Sequence, residues 1–432
     1  MKKRFLFAAA LVMAICGVST AAAQDEPSTI SLSLADAQQY AVEHNRTLAN
    51  ASLDVRKAEA SRWQAIASLL PQVKGTVDYS NYFGYQMDLG TMAISMPPYS
   101  TFGLNTAIGW SGASFINVAV ADISKKMADI SLLKSERDVK DQVKTLYYSA
   151  LVVSKTIGLL EDNLASLKRL HQMTQSSVEV GVAEQTAADQ IAVQVASLEA
   201  TVNSTKRSLE LAYNSLRLAL CLEDNSGIVL TQTLEDLVDM SEIQSVLGEE
   251  FNIENNYDYQ LLEQSTDLAK KQISLTGWSN GPTLSVYHQY SKKHYFSDEM
   301  TMNMTPPNMM GITLSLPIFT FGKATAARKA AVIAYEEQLN TMATTELSLK
   351  LQYRQLVYNL ASNLEKLDTQ IKSVELAQRV FDNNSLKYEH GVSSSLELTT
   401  SATDLISAES SYVAALLEVV NAKISLETLL NK

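Results

Sequence analysis

The chain is an internal duplication, and its period of 210 residues limits the folds available to it. Val178-Glu-Val-Gly181-Val in the first half corresponds to Tyr388-Glu-His-Gly391-Val in the second. Pro landmarks follow in the same order within a residue or two of that offset: Pro71 with Pro282, and Pro97-Pro98 with Pro306-Pro307. Chance matches between helical sequences fall on apolar positions and do not preserve Gly and Pro landmarks. Each half is therefore one copy of the same structural unit.

Both halves predict the same order of elements. A helical stretch, residues 35–67 or 256–275, precedes two alternating segments, a very long helix (about 120–180 or 325–390), a glycine and a second helix. The predicted organisation is a first repeat over residues 24–222, an insert at the equator of the molecule over 223–250, and a second repeat over 251–432.

The long helices carry heptad seams. In the first, apolar residues step alternately by three and four: Val143, Leu146, Ala150, Val153, Ile157, Leu160, Leu164 and Leu167. The second continues the pattern at Tyr353, Val357, Leu360, Leu364, Leu367, Ile371 and Val374. Such seams hold helices side by side over long distances. A helix of sixty residues reaches roughly 90 Å, which predicts a rod.

Four alternating segments predict strands, at about 71–86, 100–111, 282–296 and 309–319. Phe102, Leu104, Ile108 and Trp110, for example, alternate with small and polar residues, whereas His288 breaks the apolar row of its segment. Each length is close to the roughly ten residues that a tilted membrane strand requires. A half-buried soluble sheet alternates too, but paired segments at equivalent points of a duplication favour membrane strands.

Four strands cannot close a membrane barrel, since the smallest such barrels have about eight. An open edge cannot face lipid, because each unpaired backbone group there costs several kcal/mol. If these strands enter a membrane, several copies of the chain share one barrel, and the sequence requires an oligomer without giving its number.

The first residues predict a cleaved secretory leader, residues 1–23. Lys2, Lys3 and Arg4 precede an apolar run that ends before Ala21-Ala22-Ala23, which makes Gln24 the expected new N-terminus. Cys16 raises the possibility of lipidation, but a bulky Ile15 stands where the lipobox of bacterial lipoproteins has a small residue.

Charge and residue usage exclude several functions. The net charge is −12, or −15 without the three basic leader residues, and an acidic surface repels nucleic acid. Only Cys221 remains after cleavage, so no intrachain disulfide is expected. The methionines of the second long loop (Met300, Met302, Met304, Met309 and Met310) are interpreted as flexible apolar filling rather than a copper site.

We expect neither an enzyme nor a cofactor or metal site. The five histidines show no zinc-ligand spacing, and neither a nucleophile elbow nor a phosphate loop is present.

The chain resembles the TolC outer-membrane efflux family over essentially its whole mature length. The resemblance rests on Leu34-Ala-Asp-Ala37 with Asn45, the two predicted hairpins, the glycine turns and Leu316-Pro-Ile-Phe-Thr-Phe-Gly322. It implies a mainly α chain with a β-barrel portion, in which duplicated long-helix hairpins form an α-barrel and each subunit adds four strands to a twelve-stranded barrel. It also implies a homotrimer in outer-membrane lipid that works with a periplasmic adaptor and an inner-membrane transporter.

The resemblance places functional residues at the two glycine turns. Gly181, Val182, Gly391 and Val392 correspond to the periplasmic tips that contact the adaptor, although a helix cap alone would also require the glycines. Tyr388, Glu397 and Thr400 correspond to the aperture. The family has a second acid where this chain has Thr400, and an arginine where this chain has Ser393. The replacement of the arginine argues against a gate that is held closed by it.

Glu397 is the candidate for a pore charge. Symmetry would gather one copy from each subunit into a ring at the narrow end, favouring cations and resisting closure. The alternative is a solvated helical glutamate. For the whole chain, the expected function is a passive efflux conduit; the alternatives are a type I protein-secretion conduit and a secreted coiled-coil adhesin or scaffold.

Overall fold

The computed structural model describes residues 29–88, 90, 93–223, 226–234, 240–296 and 306–432. The predicted leader and three of the loop methionines (Met300, Met302 and Met304) lie outside these residues. The described strands are β1 Thr29–Leu32, β2 Gln72–Ser80, β3 Gln86–Asp88, β4 Ala93–Ser95, β5 Tyr99–Ser111, β6 Gly227–Leu230, β7 Thr283–Tyr295 and β8 Asn308–Ser315. The α-helices are α1 Leu34–His44, α2 Arg46–Ala67, α3 Gly112–Glu179, α4 Gln185–Leu220, α5 Met240–Leu247, α6 Tyr257–Trp278, α7 Lys323–Glu389 and α8 Ser395–Leu430.

Two helices dominate the molecule. α3 has 68 residues and α7 has 67, which corresponds to roughly 100 Å each. α3 packs against α4 and α8, and α8 packs against α7. The helices therefore lie side by side in the order α4, α3, α8, α7, with α4 and α7 at the two sides.

The heptad seams bury their residues unequally. On α3, Val143, Ala150, Ile157, Leu160 and Leu167 are buried as predicted. On α7, Leu360 and Leu367 are buried while Ile371 stays 44% exposed. The difference follows from position, because α3 packs against α1, α2, α4, α6 and α8, whereas α7 packs mainly against α6 and α8.

The first helical stretch, predicted as one helix over residues 35–67, is two helices. α1 ends and α2 begins at Asn45, whose backbone is extended (φ −68°, ψ 124°) and whose side-chain oxygen accepts the amide of Thr47 at 2.8 Å. This N-cap satisfies donors that the new helix would otherwise leave unpaired, and so it compensates for the break.

The two predicted hairpins join into one antiparallel sheet of strand order β2-β5-β7-β8. The contact between β5 and β7 runs over thirteen residue pairs, from Tyr99 opposite Tyr295 to Ser111 opposite Thr283. Within the described residues, the outer edges of β2 and β8 have no partner strand.

One face of this sheet is apolar and open. The register places on it Val73, Val77, Tyr79, Phe102, Leu104, Ile108, Trp110, Leu284, Val286, Tyr290, Ile312 and Leu314, interrupted by His288 and Lys292. Val77 is 77% exposed and Ile312 is 70% exposed. The other face carries mostly polar residues, among them Lys74, Thr76, Asp78, Thr101, Asn105, Ser285, Gln289, Lys293 and Thr313. A soluble domain would bury the apolar face, and this chain leaves it uncovered.

Two strands end earlier than predicted. β2 stops at Ser80 rather than near residue 86, because Phe83 (φ 50°) and Gly84 (φ 79°) turn the chain into the small β3–β4 ribbon. β8 stops at Ser315 rather than near 319; Pro317, which has no N–H for a ladder, follows two residues later.

The predicted insert contributes β6 and α5 to the main core. β6 pairs in parallel with β1, a strand that the sequence analysis missed, and Ile243 and Val246 of α5 are buried in the same core. A charge network ties α5 to the helices: the buried Lys423 contacts the exposed Glu242 at 2.7 Å, and Lys144 contacts the buried Glu427 at 2.5 Å. In the part of the chain described, no helix has the length and apolarity needed to cross a bilayer.

Candidate functional site

The two glycine turns have the same hydrogen-bonded cap. Gly181 (φ 79°) donates its N–H to the Val178 carbonyl at 2.9 Å, and Val182 donates to Ser177 at 2.9 Å. In the second repeat, Gly391 (φ 71°) donates to Tyr388 at 3.0 Å and Val392 donates to Lys387 at 2.9 Å. This pair of bonds satisfies the last carbonyls of α3 and α7 and requires a left-handed residue at the glycine.

The valines after the glycines are open to contact. In such caps an apolar residue at this position often packs back onto the helix. Here Val182 is 81% exposed and Val392 is 74% exposed. The residues whose carbonyls accept from these valines, Ser177 and Lys387, are polar. Each tip therefore presents an exposed valine directly after its glycine.

Tyr388 joins the two hairpins just behind the tips. Its hydroxyl lies 2.8 Å from the hydroxyl of Thr174, which has no exposed surface. Because Thr174 belongs to the last turns of α3 and Tyr388 to the last turns of α7, this bond holds both tips at one end of the molecule. The family resemblance points to Tyr388, whereas no local pattern points to Thr174, because its partner lies 214 residues away.

A second apolar core lies under this bond. It contains Leu160, Leu167, Leu170, Ile191, Leu198 and Leu398, with Tyr388 and Phe381 packed against it. A cavity of about 240 Å³ opens beside Tyr388, with Arg169, Met173, Phe381 and Leu398 in its lining. The tip region is thus a separate packing unit at the end of the rod.

Glu397 closes a capping box at the start of α8. The Ser394 hydroxyl accepts the Glu397 amide at 3.2 Å, and the Glu397 carboxylate accepts the Ser394 amide at 3.4 Å. The Ser393 hydroxyl also donates to this carboxylate at 2.6 Å. The bond from Ser393, followed by that from the Ser394 amide, lowers the pKa of Glu397 below its ordinary 4.5. The motif Ser394-x-x-Glu397 is a local signal that the sequence analysis left unused.

Glu397 and Thr400 are both exposed, on the first turns of α8. The Thr400 hydroxyl donates to the Leu396 carbonyl at 2.8 Å, which is a bond within the helix. Ser393 occupies the position that the resemblance assigns to an arginine, and it contacts Glu397 instead of reaching another helix. The first tip differs, because Glu184 at the start of α4 makes no side-chain cap. Among the residues that the structure describes, no three His, Cys, Asp or Glu side chains group as metal ligands.

Comparison with known proteins identifies the architecture. The model of the outer membrane efflux protein family matches residues 37–221 and 252–432. No curated protein matches the chain. Among solved structures, the outer membrane protein VceC from Vibrio cholerae is 14% identical over 92% of this chain and 95% of its own, with a TM-score of 0.77.

Two further channels have the same fold. The CmeC outer membrane channel of Campylobacter jejuni is 14% identical and covers 92% of this chain and 85% of its own, with a TM-score of 0.75. The MtrE outer membrane channel of Neisseria gonorrhoeae, in its open state, is 17% identical over 92% and 88%, with a TM-score of 0.75. The mainly helical fold is therefore that of outer membrane efflux channels.

Proposed function

The chain belongs to the outer membrane efflux protein family, and on that premise we propose that it is the passive outer-membrane conduit of a tripartite efflux pump. One observation carries this proposal beyond family membership. A sheet with an exposed apolar face and a polar face continues directly into helical hairpins roughly 100 Å long. Lipid covers the apolar face in this arrangement, and water fills the space at the polar face.

The unpaired edges of β2 and β8 require further copies of the chain. Each edge would leave backbone groups unsatisfied in lipid, so β8 of one subunit pairs with β2 of the next until the barrel closes. Three copies of the four-stranded sheet give twelve strands, a size within the range of membrane barrels. We therefore propose a homotrimer with one shared barrel.

The sides of the helical layer support the same assembly. α7 leaves Leu347 60%, Leu351 53% and Tyr358 72% exposed, and α4 on the opposite side leaves Leu211 65% and Leu218 79% exposed. These side chains stay exposed although α7 packs against α6 and α8 and α4 packs against α3, so the chain by itself leaves apolar surface on both helices. In a trimer, α7 of one subunit meets α4 of the next, and the helices close into an α-barrel in the periplasm.

The remaining assignments are part of the same proposal. The leader over residues 1–23 directs export and is cleaved, after which two repeats, 24–222 and 251–432, flank the equatorial insert 223–250. The tips at Gly181, Val182, Gly391 and Val392 contact the periplasmic adaptor through their exposed valines, and an inner-membrane transporter supplies the energy. Tyr388, Glu397 and Thr400 belong to the aperture.

Purification and bilayer recording test the conduit. We expect heat-modifiable trimers in the outer-membrane fraction and discrete conductance steps when they are added to planar bilayers. A leader-free chain that is monomeric without detergent would refute the proposal, and it would favour the soluble coiled-coil scaffold.

The Glu397 ring has its own test. Glu397→Gln keeps a capping box, because Gln also serves at that position, but it removes the charge. We expect a lower preference for cations. Ser394→Ala is the control, since it removes the cap without changing charge. Loss of cation preference in the control alone would assign Glu397 a purely structural role.

A further inference from the structure

Two opposite charges lie on the polar face of the sheet at the same height along the strands, which we call one level. In the register, Thr101 of β5 lies opposite Asp78 of β2 on one side and opposite Lys293 of β7 on the other. Residues paired across neighbouring strands point to the same face, so Asp78 and Lys293 flank Thr101. Two strand spacings separate them, which is about 10 Å.

Aromatic rings hold the lysine in place. The Lys293 ammonium lies 5.1 Å from the centre of the Tyr99 ring, a distance at which a cation is attracted to the ring face. Tyr99 in turn packs against Tyr295, with ring centres 5.6 Å apart, and its hydroxyl lies 3.4 Å from that of Tyr82. The charge of Lys293 is therefore kept at the sheet surface.

This level lies at the end of the sheet away from the helices. β7 begins at Thr283, a few residues after α6, and Lys293 follows ten residues later, roughly 33 Å along the strand. The inference rests on the proposed function, in which the polar face lines a water-filled barrel and the helices lie in the periplasm. Asp78 and Lys293 then face water near the outer mouth.

We propose that Asp78 and Lys293 alternate around the outer mouth as a charge-balanced ring. Each subunit contributes one charge of each sign, so the ring adds little net preference for anions or cations. A cargo ion within about a Debye length, about 10 Å at 0.1 M salt, responds to both charges. If either Asp78 or Lys293 is neutralised in all three subunits, three charges of the other sign remain without partners.

Reversal potentials in planar bilayers under a KCl gradient near 0.1 M test this ring. Lys293→Gln should raise the permeability of K⁺ relative to Cl⁻ by about two- to fourfold, and Asp78→Asn should lower it by a similar factor, as expected for charges about 10 Å away in water. The double variant Asp78→Asn/Lys293→Gln should return to the wild-type ratio.

Lys292→Gln is the matched control, because Lys292 is the adjacent lysine and its partner Phe102 places it on the apolar face. It should leave the permeability ratio unchanged. Variants that form trimers with wild-type conductance but show equal ratios throughout would overturn the ring and leave the conduit intact. Wild-type trimers that never conduct would overturn the conduit and the ring together.

Discussion

The side-chain amide of Asn256 donates a hydrogen bond of 3.1 Å to the carbonyl oxygen of Leu429. Its oxygen accepts the amides of Asp258 and Tyr259 at the start of α6. Asn45 makes the equivalent bond to Ala219, at 3.0 Å, in the first repeat. A buried asparagine in each half of the chain therefore caps a helix and binds the last turn of the hairpin that returns to it.

Asn256→Ala should destabilise the protein by about 2 kcal/mol or more. It removes an N-cap, which contributes about 1 kcal/mol, and it leaves the Leu429 carbonyl without its partner in a site where Asn256 is 2% exposed. The apparent unfolding temperature of the purified trimer measures the change.

Asn421→Ala is the control for this substitution. Asn421 is exposed within α8, where alanine has the higher helix propensity, so its unfolding temperature should equal or exceed that of the wild type. Equal losses in both variants would contradict a specific role for Asn256.

Glu409→Gln should stabilise the protein at neutral pH. Glu409 accepts a bond of 2.5 Å from the Asn163 amide, but burial raises its pKa above the ordinary 4.5, and this desolvation exceeds the effect of that bond. Glutamine keeps the acceptor and has no charge to desolvate. The expected gain is a fraction of the about 1–3 kcal/mol that an unsatisfied buried polar group costs.

The pH dependence of the free energy of unfolding tests whether the Glu409 effect comes from ionisation. Because its pKa is higher in the folded state, the folded protein binds the proton more tightly, and the free energy of unfolding falls as pH rises from the ordinary pKa through the raised one. The gain in Glu409→Gln should therefore shrink as the pH is lowered to about 4. A constant gain between pH 4 and 7 would show that ionisation is irrelevant.

The repeat itself supplies the matched control. Glu199 is the equivalent residue of α4, 210 positions earlier, and it pairs with Lys168 at the surface. Exposed pairs contribute about 0–1 kcal/mol, so Glu199→Gln should be neutral or slightly destabilising at pH 7.

Gly391→Ala should loosen the second tip. A side chain at φ 71° costs roughly 1–2 kcal/mol, although no neighbouring atom blocks it. Amide hydrogen exchange should accelerate around residues 386–394 and stay unchanged in the main core. Gly158→Ala, in open space within α3, should instead stabilise its helix by about 0.5–1 kcal/mol.

Tyr388→Phe and Thr174→Val should each weaken the contact between the hairpins by about 1 kcal/mol, because each removes one hydroxyl of the same bond. The double variant should be no less stable than the worse single variant, since the bond can be lost only once. Chemical denaturation gives the free energies, and resting conductance should rise together in all three variants. Strictly additive losses would show that the two hydroxyls do not interact.

Local patterns in the sequence determined much of this molecule. The duplication could be read from landmarks repeated at a fixed offset. Both long helices, the four strands and the two glycine turns could be read from residues that are neighbours in the chain, since helix periodicity, alternation and left-handed caps depend on such neighbours. The capping box of Ser394 and Glu397 was also readable in this way. Family resemblance added Tyr388 and Asn45, whose partners the sequence did not reveal.

Only the tertiary structure decided the rest. Thr174 beside Tyr388, Asn256 beside Leu429, the parallel pairing of β1 with β6 and the level shared by Asp78 and Lys293 all join residues far apart in the chain. No local pattern encodes such pairs, because their geometry is set by how the helices and strands pack. A shift of one residue in strand register would place Lys293 on the opposite face of the sheet.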